Sequence, residues 1–274
     1  IRYNKIINNY TANDGGGIYG YESSPTIEYN IIEDNESCYW GGGIYAELST
    51  VIISNNEITG NESTGYGGNG GGIYLYGGSA TITGNTVEYN IAESGGGIDA
   101  QYTTVTISIN EIIGNYAKNY GGGIWVNENC IANISGNNIS ENYAEESGGG
   151  MELYVNCEVT VYDNIITDNR TDRYGGAMFV DEVTSATMTD NTIEYNIAES
   201  GGGIYVTQSE PTISDNEISG NTASGDGGGI YVGSDSSPEI TSNGITNNEA
   251  TDEGGGIYVW DTASPIIGAI GNFN

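Results

Sequence analysis

This 274-residue chain has no histidine and very few cationic side chains, with 5 Lys and Arg against 37 Asp and Glu and a formal net charge of −32. The absence of His removes the commonest general base and the commonest zinc ligand. The scarcity of Lys and Arg excludes nucleic acid as a partner, because phosphate contacts need basic side chains. It also disfavours an anionic membrane surface.

Long apolar runs and proline are equally scarce. No stretch of 18 apolar residues exists, so this segment is not expected to insert into a membrane. Only 4 Pro accompany the 45 Gly, which argues against a collagen-like or linker-like role for the glycines. The three cysteines, Cys38, Cys130 and Cys157, are too few for a disulfide framework.

The dominant positive feature is a repeat. A glycine triplet, or the near copy at 175–177, ends at residues 17, 43, 72, 97, 123, 150, 177, 203, 229 and 256. Each repeat contains three short segments in which apolar and polar residues alternate, as at 203–206, 211–214 and 217–219. This period of two indicates half-buried strands, and no segment keeps a helical period.

Such short strands cannot bury their apolar faces alone, whereas stacking successive coils buries them. We therefore predict an all-β, right-handed, single-stranded parallel β-helix of about ten coils, each with roughly 26 residues and three short strands. Residues 1–274 are expected to form one domain. Because the sequence begins and stops in mid-repeat, we expect it to be part of a longer chain.

Two asparagine columns lie five residues apart in every repeat and predict a stacked ladder of turns, because Asn tolerates a left-handed backbone. The first column is Asn4, Asn30, Asn56, Asn85, Asn110, Asn137, Asn164, Asn191, Asn216 and Asn243. The second column is Asn9, Asn35, Asn61, Asn90, Asn115, Asn142, Asn169, Asn196, Asn221 and Asn248.

The paired signals Gly-Gly-Gly-Ile and Ile-x-x-Asn, as at 201–204 and 218–221, resemble those of right-handed parallel β-helix repeat proteins. They also resemble the repeats of polymorphic outer-membrane proteins, which usually carry Phe-x-x-Asn where this chain has Ile. The resemblance implies an extracellular or cell-surface protein, either an adhesin-like rod or a fibre-forming structural protein.

Polysaccharide lyases and hydrolases share this fold, and their sites need clustered Asp with Lys, Arg or His. In this chain only Arg170 and Arg173 cluster, beside Asp168 and Asp172, and no carboxylate pair stands out. We therefore expect no catalytic residues and no enzymatic activity. A carbohydrate-active enzyme using carboxylates beside these arginines remains the alternative.

The first residue after each glycine triplet, Ile or Met, is predicted to be buried and the next residue to point outward. That outward residue is aromatic in eight repeats of ten. An exposed aromatic stripe suggests a contact surface for a glycan or a protein, including self-association into filaments. Cross-strand stacking that only stabilises the sheet is the other interpretation. The stripe consists of Tyr19, Tyr45, Tyr74, Trp125, Phe179, Tyr205, Tyr231 and Tyr258.

Paired hydroxyl residues on the next face, such as Thr212 and Ser214 around Ile213, resemble ice-binding solenoids and give a third functional alternative. Glu28, Ile52, Tyr162 and Glu239 interrupt these columns.

Acidic residues recur in the turn before the glycines. Stacked like charges repel one another, so calcium is a candidate cofactor there and no other cofactor is indicated. The candidate ligands are Asp14, Glu93, Glu146, Glu199, Asp226, Asp252 and Glu253.

Cys130 and Cys157 are one repeat apart in the same column, which otherwise holds small residues. The spacing of stacked strands would permit a disulfide between them.

Overall fold

The computed structural model describes residues 1–268, which contain strands and turns but no helix. Parallel pairing joins each coil to the next along the whole length, and two of the sheets contain ten strands each. The predicted solenoid of about ten coils is therefore confirmed. A short segment of two to five residues follows the third strand of each coil and was not predicted.

The first sheet contains the strand that follows each glycine triplet and the strand after it. In two coils these strands are continuous, as Ile44–Ser54 and Ile73–Thr83. The other first strands are Ile18–Tyr21, Ile98–Gln101, Ile124–Asn127, Met151–Tyr154, Met178–Asp181, Ile204–Thr207, Ile230–Val232 and Ile257–Val259. The other second strands are Thr26–Glu28, Thr104–Ser108, Ile131–Ser135, Glu158–Tyr162, Ser185–Thr189, Thr212–Ser214, Glu239–Thr241 and Ile266–Gly268.

The third and fourth strands of each coil build two further sheets. The third strands are Lys5–Ile7, Ile31–Glu33, Glu57–Thr59, Thr86–Glu88, Glu111–Ile113, Asn138–Ser140, Ile165–Thr167, Thr192–Glu194, Glu217–Ser219 and Gly244–Thr246. The fourth strands are Tyr10–Thr11, Glu36–Ser37, Glu62–Ser63, Ile91–Ser94, Tyr116–Tyr120, Tyr143–Ala144, Arg170–Thr171, Ile197–Ala198, Thr222–Ala223 and Glu249–Ala250.

Stacked aliphatic side chains fill the interior. Ile73, Ile98 and Ile124 occupy matching positions in successive coils and are fully buried. Burial of each such side chain stabilises the folded state by roughly 1.5–3 kcal/mol relative to leaving it exposed. Because every coil places apolar side chains, mostly Ile with some Val and Met, at these inward positions, the core is continuous along the rod.

The two asparagine columns form hydrogen-bonded ladders through the turns. The Oδ1 atom of Asn142 accepts from the backbone nitrogen and from Nδ2 of Asn115, both at 3.0 Å. Its own Nδ2 donates to the backbone oxygen of Ile112 at 2.9 Å and to Oδ1 of Asn169 at 3.0 Å. Each buried amide thereby satisfies backbone groups that the turn leaves without a strand partner.

The left-handed backbone of these turns belongs to the residue before each ladder asparagine, which corrects the expectation from the sequence. Asp163 and Asp168 have φ of 55° and 56°, whereas Asn164 and Asn169 do not have positive φ. The ladder asparagine is therefore selected for its amide hydrogen bonds rather than for its backbone freedom.

Glycine is required in each triplet for two separate structural reasons. The first glycine of each triplet has positive φ, for example 65° at Gly148. A Cβ atom on the middle glycine, Gly149, would lie 2.4 Å from the carbonyl oxygen of Arg170 and 2.5 Å from that of Gly176. No side chain fits where neighbouring coils approach this closely.

Candidate functional site

Two separate cavities lie along the face formed by the first strands, which we call the groove, and three columns of outward side chains line it. The aromatic column on the floor comprises the second residue after each glycine triplet, including Tyr74, Asp99 and Trp125, which pair in register. The outer column lies two residues further on and includes Tyr76 and Gln101. The turn column, the residue before each first glycine, borders the other side and comprises Asp14, Trp40, Asn69, Ser94, Tyr120, Ser147, Tyr174, Ser200, Asp226 and Glu253.

The prediction that the aromatic column is an exposed stripe is wrong for most of its members. Tyr45 and Tyr74 are each 2% exposed, and Trp125 is 8% exposed. Tyr231 is also buried, and three others are half-buried, namely Phe179, Tyr205 and Tyr258. Only Tyr19, at one end of the rod, is largely exposed.

Aromatic side chains of the turn column cover the floor. Trp40 stacks on Tyr74 with ring centroids 5.9 Å apart, and Tyr120 lies 5.7 Å from Trp125. Tyr174 packs against Tyr205 at 5.0 Å. These covering rings are themselves partly exposed, so they present the accessible aromatic surface that was assigned to the floor. Their position immediately before the glycines was a sequence signal that the prediction missed.

The larger cavity of the groove has a volume of about 490 Å³ and lies where Trp40 faces Tyr76 across Tyr74. Gln101 borders it, accepting a hydrogen bond from the Tyr74 hydroxyl at 3.2 Å. The Gln101 side-chain nitrogen donates to Oδ2 of Asp99 at 3.2 Å. Rings thus provide stacking surfaces, and an amide fixes the polar edge of the cavity.

Burial raises the pKa values of two side chains in the floor, Tyr74 and Asp99. It raises the pKa of the Tyr74 hydroxyl, and neighbouring acidic groups, Asp99 among them, raise it further. Burial likewise raises the pKa of Asp99 well above its usual value. Asp99 is fully buried, and its Oδ1 has no hydrogen-bond partner. The Tyr74 hydroxyl therefore stays protonated and donates to Gln101, and burial disfavours the charged form of Asp99.

A second cavity of about 260 Å³ lies further along the groove, where Glu152 replaces an aromatic residue in the floor. Glu152 is 3% exposed, and the Ser147 hydroxyl donates a hydrogen bond to it. Burial raises the pKa of Glu152 to about 8, while the hydrogen bond from Ser147 partly opposes the shift. No pattern in the sequence distinguishes this carboxyl from the many others.

The acidic residues considered for calcium lie in two columns and mostly do not stack. Glu93, Glu146, Glu199 and Asp252 share one column, where Asn119, Arg173 and Gly225 alternate with them. Asp14, Asp226 and Glu253 belong to the turn column, in which only Asp226 and Glu253 are adjacent. The presumed repulsion between stacked acids is therefore wrong for most positions.

Ion pairs and geometry leave no evident calcium centre in the described chain. Lys118 Nζ lies 3.4 Å from Glu93 Oε1, and Arg173 Nη1 lies 3.0 Å from Glu146 Oε2. Within residues 1–268, no three or more Cys, Asp or Glu side chains converge in a way that could hold a metal ion.

Cys130 and Cys157 occupy matching positions in adjacent coils, where the Cys130 backbone nitrogen donates to Cys157 Sγ at 3.4 Å. Both are buried free thiols, so the disulfide considered from the sequence is not formed in the structure.

Of the two arginines of the enzymatic alternative, Arg173 pairs with Glu146 at the edge of the second cavity, whereas Arg170 lies outside the cavities at an exposed corner. Arg170 Nη2 is 3.4 Å from Asp172 Oδ1, and both side chains are about half exposed or more. Asp168 is a left-handed turn residue at that corner. The structure therefore does not bring Arg170 and Asp168 to the buried carboxyls of the groove.

The hydroxyl columns lie on the face of the second strands. Thr106, Asn133, Thr160 and Thr187 pair in register in four successive coils. They border a shallow depression of about 290 Å³. Tyr162 stands beside these residues in the neighbouring outward column, as the sequence indicated.

Together these features define a parallel β-solenoid with an aromatic groove along one face. The family model described as the right-handed beta helix region matches residues 1–87, 62–210 and 117–269, so the chain belongs to that family. The predicted right-handed β-helix is thus confirmed. Comparisons with curated proteins and with solved structures found no match. Within residues 1–268, no helix is long and apolar enough to cross a membrane.

Proposed function

We propose that this chain is a non-enzymatic rod outside the cell or on its surface that binds a glycan chain along the aromatic groove. The observation that carries this proposal is the partly exposed Trp40 ring, which forms one side of the 490 Å³ cavity. Sugar rings stack on such aromatic faces, and the Gln101 amide offers a hydrogen-bond partner for hydroxyl groups. The coil spacing of about 4.8 Å is close to the advance of one pyranose ring in an extended chain.

Charge restricts the glycan that would bind. The chain carries a formal net charge of −32, and Glu47 borders the larger cavity. Polyanionic glycans such as uronates or sulfated chains would be repelled at long range. The groove therefore suits neutral or cationic chains, which narrows the glycans to be screened.

A glycan array, run with and without calcium, tests the proposal. We expect binding that Trp40→Ala or Tyr120→Ala weakens at least about tenfold, the effect of losing roughly 1.4 kcal/mol. Tyr162→Ala is a matched control, since Tyr162 is 38% exposed and Tyr120 is 40% exposed, but Tyr162 lies on another face. A silent array in both conditions would instead favour a structural rod whose groove contacts protein.

A carbohydrate-active enzyme is the second candidate, because two carboxyls with unequal acidity lie together in the groove. Burial raises the pKa of Asp181 to about 6, and that of Glu152 to about 8. Such a difference would suit a general acid and a partner carboxylate. Release of reducing ends from a bound glycan, abolished by Glu152→Gln, would establish the enzyme and end the non-enzymatic proposal.

A further inference from the structure

The cavity at Glu152 exists because one coil lacks two aromatic rings that its neighbours have. The preceding coil pairs Tyr120 with Trp125, ring centroids 5.7 Å apart, and the following coil pairs Tyr174 with Phe179 at 6.3 Å. In the coil between them, the matching positions are Ser147 and Glu152. The missing rings leave a hollow of about 260 Å³ between two aromatic pairs.

A carboxyl lies in this hollow rather than a neutral side chain. Glu152 lines the cavity although it is 3% exposed, and Ser147 donates to it. Glu146 and Asp181 also line the cavity. Arg173 is the only basic residue with an ion pair here, and it neutralises only Glu146. The described residues thus supply acidic groups and ring faces without a cation for Glu152.

We propose that this hollow is a subsite for an alkylammonium group, the protonated amine of an amino sugar in the bound glycan. The inference rests on the proposed glycan-binding function and specifies the class of glycan. Cations are attracted to the faces of Tyr and Phe rings, here Tyr174 and Phe179, and most strongly where water is excluded. A buried carboxylate beside those rings adds charge complementarity that an N-acetylated sugar cannot use.

Binding of a cation must be coupled to ionisation of Glu152. The carboxyl is neutral at pH 7 because burial raises its pKa to about 8, and a bound ammonium would lower that pKa and release the proton. The titratable or charged groups that surround it are Tyr120, Glu146, Tyr154, Arg173, Tyr174 and Asp181.

Tetramethylammonium is the direct probe, since its charge does not change with pH. We expect its affinity, measured by calorimetric titration, to rise from pH 6 to a plateau above about pH 8, the pKa of Glu152. Glu152→Gln should remove the rise toward pH 8, leave only the change near pH 6 that Asp181 contributes, and weaken binding about tenfold or more at pH 9. Glu158→Gln removes an exposed charge on another face and should change neither the pH dependence nor the affinity.

Amino-sugar oligomers and N-acetylated oligomers of the same length test the glycan assignment. We expect the amino form to bind about tenfold more tightly, and Glu152→Gln to abolish that preference while Trp40→Ala weakens both forms. Equal binding of both forms, unchanged by Glu152→Gln, would overturn the subsite and leave the glycan-binding function standing. Failure of every glycan would overturn both proposals, and a preference for lysine oligomers would overturn the amino-sugar assignment.

Discussion

The asparagine ladders and the aromatic groove are both continuous columns on the same coils, yet they differ in regularity. Every ladder position described here holds Asn, and a central member such as Asn142 makes four side-chain hydrogen bonds. The groove instead changes along its length, with Tyr74, Asp99, Trp125 and Glu152 in four successive coils. Its floor also contains a buried carboxyl oxygen without a partner, on Asp99.

This difference separates the ladder positions, which stabilise the fold, from the groove positions, to which we assign ligand binding by proposal. A ladder position must repeat because each amide completes the hydrogen bonds of the coil before it. A groove position can vary because each outward side chain packs mainly on its neighbours and leaves the backbone pairing intact. The irregular buried carboxyls cost stability, which a merely structural face would have no reason to keep.

Substitution of an asparagine in a ladder should cause the largest change in stability. Asn142→Ala removes the partners of two nitrogens of Asn115 and of two oxygens, on Ile112 and Asn169. We expect the free energy of unfolding to fall by about 3–5 kcal/mol in a denaturant titration. Asn133→Ala on the exposed face should change it by about 0.5 kcal/mol or less, and equal effects of the two substitutions would refute the ladder's role.

Substitution of a buried carboxyl in the groove should instead increase the free energy of unfolding. Folding raises the pKa of Glu152 from 4.5 to about 8, so the folded state keeps a proton that the unfolded state loses between those values. Stability therefore falls as pH rises through this window, and the full cost is present above pH 8. Glu152→Gln should stabilise the protein by on the order of a few kcal/mol at pH 9 and by little at pH 4.

Chemical denaturation of both proteins at the two pH values measures this gain. Glu158→Gln is the matched control, because it removes the same charge from an exposed site. If Glu152→Gln and Glu158→Gln followed the same pH profile, Glu152 would not be the buried acid described here.

Calcium should have the smallest effect. Glu93 and Glu146 already have cationic partners, and only Asp226 and Glu253 stack directly in the turn column. We expect calcium and magnesium at equal ionic strength to raise the melting temperature equally, by general screening of the net negative charge. A rise specific to calcium and reversed by a chelator would show a site that the geometry does not reveal.

The fold could be predicted from the sequence because its rules repeat. The glycine triplets, the buried Ile columns and the paired asparagines each occur once per coil, so ten copies state the same constraint. The left-handed turn residue was assigned one position too late, to the asparagine itself rather than to residues such as Asp163. A repeated Asn in the sequence is compatible both with amide hydrogen bonding and with a left-handed backbone, so the sequence alone could not separate the two roles.

The groove could be predicted only in part, because its features depend on contacts between columns. Alternation correctly placed Tyr45 and Tyr74 on the outward side of the strand. It could not show that Trp40, from another column, covers Tyr74 and leaves the latter 2% exposed. The special environment of Glu152 likewise follows from the small Ser147 beside it, five residues earlier in the chain.

The central claim is that the rings bordering the groove bind a glycan. Its most direct test is calorimetric titration of the protein, Tyr120→Ala and Tyr162→Ala with the glycan that gives the strongest array signal. The account predicts that Tyr120→Ala weakens binding at least about tenfold while Tyr162→Ala keeps the original affinity. Equal affinity of all three proteins would contradict it, because the glycan would then bind elsewhere on the rod.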